Sequence, residues 1–227
     1  FINLLNGLVE ISHTHSIEGI ALYNRAAYLQ NQGKVVIDMI SHYGVFGDNK
    51  SSLIKEDTIS INHISNFGVY FDGAFVNNPQ GYISVNNVSG ENKYGVLFGE
   101  NFDGLIENYG YLRIDTIEST GLYSYRKIIN TGILEIRNIG ETAIHSLDTI
   151  ENHTLGRILI ENYGKHGIYT TESLTNAGQI WITSDDPYSF NGIYNYFGSL
   201  HNEPTGLVIS FDNILNWYSS ELINDGN

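Results

Sequence analysis

Residues able to do chemistry are few in this chain, and they are scattered. The one Asp-Asp dipeptide, Asp185-Asp186, offers the paired carboxylates that general acid–base work needs. Pro187 follows it, however, and Ser184, Tyr188 and Ser189 surround it, so the segment reads as a turn. His13 and His15 alternate and would face one side of a strand, but two imidazoles without a third ligand make a weak metal site. The other histidines, at 42, 63, 145, 153, 166 and 201, do not converge and read as surface polar residues. Arg113, Arg137 and Arg157 read as isolated outward positions. With no cysteine, a thiolate metal site and a disulfide framework are both excluded. Asn87-Val88-Ser89 and Asn152-His153-Thr154 fit the glycosylation sequon and read as coincidences. These residues imply no catalytic group, no metal and no cofactor.

The bulk of the chain points instead to architecture. Its 227 residues suffice for one domain or one repeat array, and 41% of them are hydrophobic, enough for a substantial core. Glycine and tyrosine are plentiful, at 24 and 16, and proline is scarce at 3, a mixture that suits pleated structure. The formal charge of −14, with 11 dispersed basic residues, excludes a nucleic-acid partner, which would need clustered lysine and arginine. Such charge suits solubility, or a salty medium that screens self-repulsion. No apolar run is long enough to insert in a membrane.

Three columns recur. A glycine followed by an aliphatic residue stands at Gly19-Ile20, Gly44-Val45, Gly68-Val69, Gly95-Val96, Gly121-Leu122, Gly167-Ile168 and Gly192-Ile193, and Ala143-Ile144 fills the one vacancy. Successive steps are 25, 24, 27, 26, 22, 24 and 25 residues. An apolar–x–apolar pair lies upstream in each repeat, as in Val35/Ile37, Ile59/Ile61, Leu112/Ile114 and Ile158/Ile160. Its alternation is that of a strand with one buried face. A further apolar residue often follows three positions on: Ile40, Ile64, Val88, Ile117 and Ile139. The third column is an asparagine: Asn31, Asn77, Asn108, Asn130, Asn152, Asn176, Asn202 and Asn224, with Lys55 as the exception.

A period near 24 residues, carrying three short strands of 3–5 residues broken by Gly, Asn, Asp and Ser, predicts an all-β parallel β-helix, or β-solenoid. The expectation is one array over residues 1–227 of about nine coils, right-handed as parallel crossovers generally are. The glycines are expected at bends that need positive φ or close backbone approach. Asparagine amides are expected to hydrogen-bond from coil to coil as a ladder. An outward stack, Phe46, Tyr70, Leu97, Tyr123, His145, Tyr169 and Tyr194, follows two residues after the glycine column. Its rings could brace the sheet, pack against protein, or bind sugars. Residues 1–7 and 222–226 read as parts of further coils without caps, so the array is expected to be a fragment of a longer repetitive protein.

Irregular repeats with these asparagine and Gly-aliphatic columns resemble the β-helical stalks of large secreted or surface proteins of bacteria. Adhesins, fibre subunits and grappling-hook-like filaments of predatory gliding bacteria are the members to which the resemblance points. It implies a structural stalk or filament segment, extracellular or at the cell surface, acting through rigid length and contact. The implied partners are other copies or segments of the same large protein, and cell-surface glycans. Pectin-degrading enzymes share the architecture, and Asp185-Asp186 and His166-Gly167 echo their motifs. The accompanying Asn-Thr-Asp and Arg-Ile-Lys triplets are missing, so no enzyme is expected. The alternative is a polysaccharide-binding or -cleaving module.

Overall fold

The computed structural model describes residues 2–3, 7–12, 18–22, 28–48, 52–90, 93–99, 106–185, 189–218 and 221–226. His13, His15, Asp186, Pro187 and Tyr188 lie outside them. Every described element is a β-strand, and the strands form three parallel sheets of ten, nine and nine. The chain visits the sheets in strict rotation, so each strand pairs only with its counterparts one coil before and one coil after. A typical coil is Ile128–Asn130, then Ile133–Ile139, then Thr142–Ser146.

Each sequence column occupies its own sheet and keeps register. In the asparagine sheet, Asn31 pairs with Lys55, Lys55 with Asn77, Asn77 with Asn108, and the column runs unbroken to Asn224. Asn3 extends it backwards, pairing with Asn31. The aliphatic sheet stacks Ile59 on Val35 and Ile83 on Ile59, and the glycine sheet stacks Val69 on Val45 and Val96 on Val69. These inward side chains make one continuous core, nearly all under 3% exposed. Burial of each contributes roughly 1.5–3 kcal/mol before ordering entropy is subtracted.

Strands of the aliphatic sheet exceed the expected 3–5 residues: six of them run seven. The cause is a left-handed residue at the sixth position, with φ of 51–56° at Met39, His63, Asn87, Thr116, Asn138 and Asn162. This one reversal lets two successive side chains face outward before the next, Ile40 through Tyr163, turns back into the core. It explains the three-residue step in the apolar pattern.

The column glycines are not at bends and do not have positive φ. They sit second in their strands, pressed against the next coil. A Cβ on Gly44 would stand 2.5 Å from the Gly68 carbonyl oxygen and 2.5 Å from Ile61 Cγ2. Close approach alone therefore selects glycine here.

A short corner, Asn-x-Gly, usually joins the asparagine sheet to the aliphatic sheet, as at Asn108-Tyr109-Gly110. Three described corners are longer: Asn77 to Gly81, Asn152 to Gly156 and Asn202 to Gly206. Each closes a turn in which the glycine N–H donates to Asn78, His153 or Glu203 at 2.7, 2.7 and 2.8 Å.

Candidate functional site

The outward face of the glycine sheet carries the densest concentration of reactive and aromatic side chains. Phe46, Tyr70, Leu97, Tyr123, His145, Tyr169 and Tyr194 fall in one register column. Phe46 and Tyr70 stack at 5.3 Å and 10°, and Tyr169 and Tyr194 at 5.3 Å and 24°. His145 lies between Tyr123 and Tyr169, 4.5 Å from each ring. Leu97 separates the two aromatic groups.

A second aromatic column runs beside the first and escaped the sequence reading. It is formed by the residue before each glycine: Tyr43 stacks on Phe67 at 5.0 Å and Phe67 on Tyr94 at 5.7 Å. Thr120 and Thr142 then interrupt it, and His166, at the same position in the next repeat, stacks on Tyr194 of the first column at 5.3 Å. The signal was the position one before glycine, an aromatic in three consecutive repeats.

The two histidines of this face are not ordinary surface residues. Burial, and secondarily the nearby His166 charge, pushes the His145 imidazole down to about 4. Burial and Lys165 lower His166. Both rings pack against Tyr169, which the outward stack foresaw for His145 but not for His166.

On the aliphatic sheet's outer face, Arg113 and Arg137 are not isolated. Arg113 Nη2 donates to Asp115 at 2.7 Å, and Arg137 Nε lies 2.6 Å from Glu135 and 3.3 Å from Glu161. Burial opposes ionisation of Asp115, but hydrogen bonds from Arg113, Asn138 and Thr116 prevail and hold its carboxyl below the usual range. Arg157 is exposed, as expected.

Inside, the asparagine side chains join directly. Asn77 donates to Asn108, Asn108 to Asn130, Asn130 to Asn152, Asn152 to Asn176, Asn176 to Asn202 and Asn202 to Asn224, all at 2.7–2.8 Å. Asn31 donates to the Thr58 carbonyl at 3.1 Å. Lys55 takes the same column position, fully buried, with no hydrogen bond to its Nζ; the Asn77 Oδ1 that faces this rung is also unbonded. Burial lowers the Lys55 amine to about 8, against the pull of Asp57 and Glu56.

A second polar column, also unforeseen, closes the corner after the glycine sheet. Ser124, Ser146 and Thr170 each donate to the carbonyl two residues on, at 2.7, 2.7 and 3.2 Å. Arg126 is anchored there too, donating to the Gly73 and Phe71 carbonyls at 2.9 and 3.0 Å.

Among the described residues, no group of three or more His, Asp or Glu could hold a metal ion. Of the aspartate pair, Asp185 is exposed and stands alone among described residues. Asn87 takes a left-handed strand position, and Asn152 lies in the ladder. Two corner hollows, of about 330 and 380 Å³, are lined by Gln32, Glu56, Asp57 and Gln80, and by residues including Glu151, His153 and Glu203. These features define a parallel three-sheet β-solenoid with stacked aromatic and amide columns. The chain matches no family model, no curated protein and no solved structure.

Proposed function

We propose that this chain is a stalk or filament segment of a large extracellular bacterial surface protein, working through rigid length and through contact with other copies or surfaces. One observation carries the reading: the notable polar and aromatic side chains are engaged with their counterparts in neighbouring coils. Amides bond amides inside, rings stack on rings on one outer face, and charges pair across coils on another. Side chains committed in this way stiffen a rod and leave few groups for substrate. A sugar needs an open ring face, whereas Phe46, Tyr70, Tyr169 and Tyr194 present their faces to each other. At roughly 4.8 Å per coil, nine coils give a rod on the order of 43 Å. Electron microscopy of the native source is expected to find a filament with a coil-spaced repeat. Release of reducing or unsaturated ends from pectin and related polymers would overturn the proposal.

The polysaccharide-binding alternative has its own supporting observation. Trp181 is 43% exposed and Phe211 71% exposed, their rings 6.5 Å apart on the aliphatic sheet side. Titration with oligosaccharides, followed by the emission of Trp181 in the Trp217→Phe background, tests it: a saturable change that Phe211→Ala abolishes would favour a glycan.

A further inference from the structure

From Asn77 onward, each rung of the interior ladder is a direct amide–amide bond of 2.7–2.8 Å as far as Asn224. Immediately before that run stands Lys55, paired in register with Asn31 on one side and Asn77 on the other. Two buried polar atoms without hydrogen bonds, Lys55 Nζ and Asn77 Oδ1, fall at this single junction. Both residues are fully buried, so neither atom exchanges its missing partner for solvent. The corner is irregular at the same place: Asp57 stands where Gly33, Gly110, Gly132 and Gly178 close the other short corners. The main chain nonetheless runs through, with Asn78 N–H donating to the Lys55 carbonyl at 2.9 Å and Tyr82 N–H to Asp57 at 2.7 Å. The weakness is therefore confined to side chains.

In a solenoid, stability is close to a sum of coil and nearest-neighbour terms, so one poor interface divides the array without unfolding it. We propose that the array opens as two blocks that part at the Lys55 rung, the coils up to Lys55 releasing before those that begin at Asn77. Behind the junction the ladder runs uninterrupted from Asn77 to Asn224, whereas at the junction itself two buried polar atoms have no hydrogen bond. Under axial or peeling load, this rung sets where the rod first gives way. Such a junction would operate in any use of the array, stalk or otherwise.

Native-state hydrogen exchange of the whole chain, resolved by mass spectrometry, tests this. In the wild type, amides of strands within residues 28–64 are expected to exchange at least about tenfold faster than those within 106–182, through one shared opening. Lys55→Asn restores both the amide donor and its acceptor and is expected to shrink that difference to within about threefold. Lys55→Met removes the buried amine without rebuilding the rung, and must also shrink the difference; it serves if the asparagine variant fails to fold. Equal protection on the two sides in the wild type, or variants that leave the difference unchanged, would overturn the proposal.

Discussion

At the scale of single residues, two positions are poorly matched to their surroundings. Thr116 has φ of 56°, a left-handed conformation in which a β-branched side chain crowds its own backbone. Asparagine takes the same position in three other coils, as Asn87, Asn138 and Asn162. Thr116→Asn is therefore expected to stabilise the fold by about 1 kcal/mol, which for a chain of this size raises the melting temperature by roughly 2–4 °C. Unchanged or lowered melting in calorimetry would contradict the strain assigned to Thr116. His145 is the second misfit, an ionisable ring in an aromatic stack. Its folded pKa of about 4 lies below the ordinary 6.5, so the unfolded chain binds the proton more readily between those values. Stability is expected to fall as pH drops from about 6.5 to about 4, by about 1–3 kcal/mol for a group only partly shielded from water. His145→Phe should flatten that part of the urea-midpoint profile, leaving the smaller contribution of His166. A profile that stays as steep in the variant would place the acid sensitivity elsewhere.

At the scale of elements, the corners decide what the sequence could reveal. The long corners place Pro79 and Pro204 second in their turns, and Thr154 takes the corresponding place between His153 and Gly156. Proline presets φ at this position and restricts the unfolded chain. Thr154→Pro is expected to add about 0.4–1 kcal/mol, read as a higher denaturant midpoint with an unchanged slope. A loss of stability would mean that this corner does not share the geometry of the other two. Inward columns were legible because burial repeats the same residue type at each turn: Ile136 under Ile160 under Ile182 permits little else. Strand lengths were not, because the left-handed break that carries each long strand around its corner is made by Met39, His63 and Thr116 as well as by asparagine. No single residue type marks it. The glycines were located correctly, and of the two causes expected for them close backbone approach holds whereas bends with positive φ do not, since a clash with the next coil's backbone cannot be told from a turn by sequence alone. The outward contacts were the least legible. Arg137 and Glu161 are partners only because a whole coil brings them into register.

At the scale of the molecule, this register makes a coil the unit of addition and removal. Asn130 and Asn152 are consecutive rungs of the ladder, 22 residues apart. Excising residues 131–152 would join Asn130 to His153, the residue that already follows a ladder asparagine. The shortened chain would stack Asn130 on Asn176, Leu112 on Ile158 and Leu122 on Ile168, in each case a pairing of the types already present. It would lose the bridge from Arg137 to Glu135 and Glu161 and one coil's share of buried aliphatic surface. It would gain no cavity and no unpaired strand edge, because the coils on either side close over the gap. In a domain with one non-repeating core, removing 22 contiguous residues that include Ile136, Ile139, Ile144 and Ile150 would abolish folding. Here the variant is expected to keep the far-ultraviolet dichroism of a β protein and a cooperative melt, and to shorten by about one coil spacing, roughly 4.8 Å, in small-angle scattering. A variant that collapses or aggregates would mean that the coils are not interchangeable, and that the irregular outward pairs hold the array together as strongly as the repeated interior does.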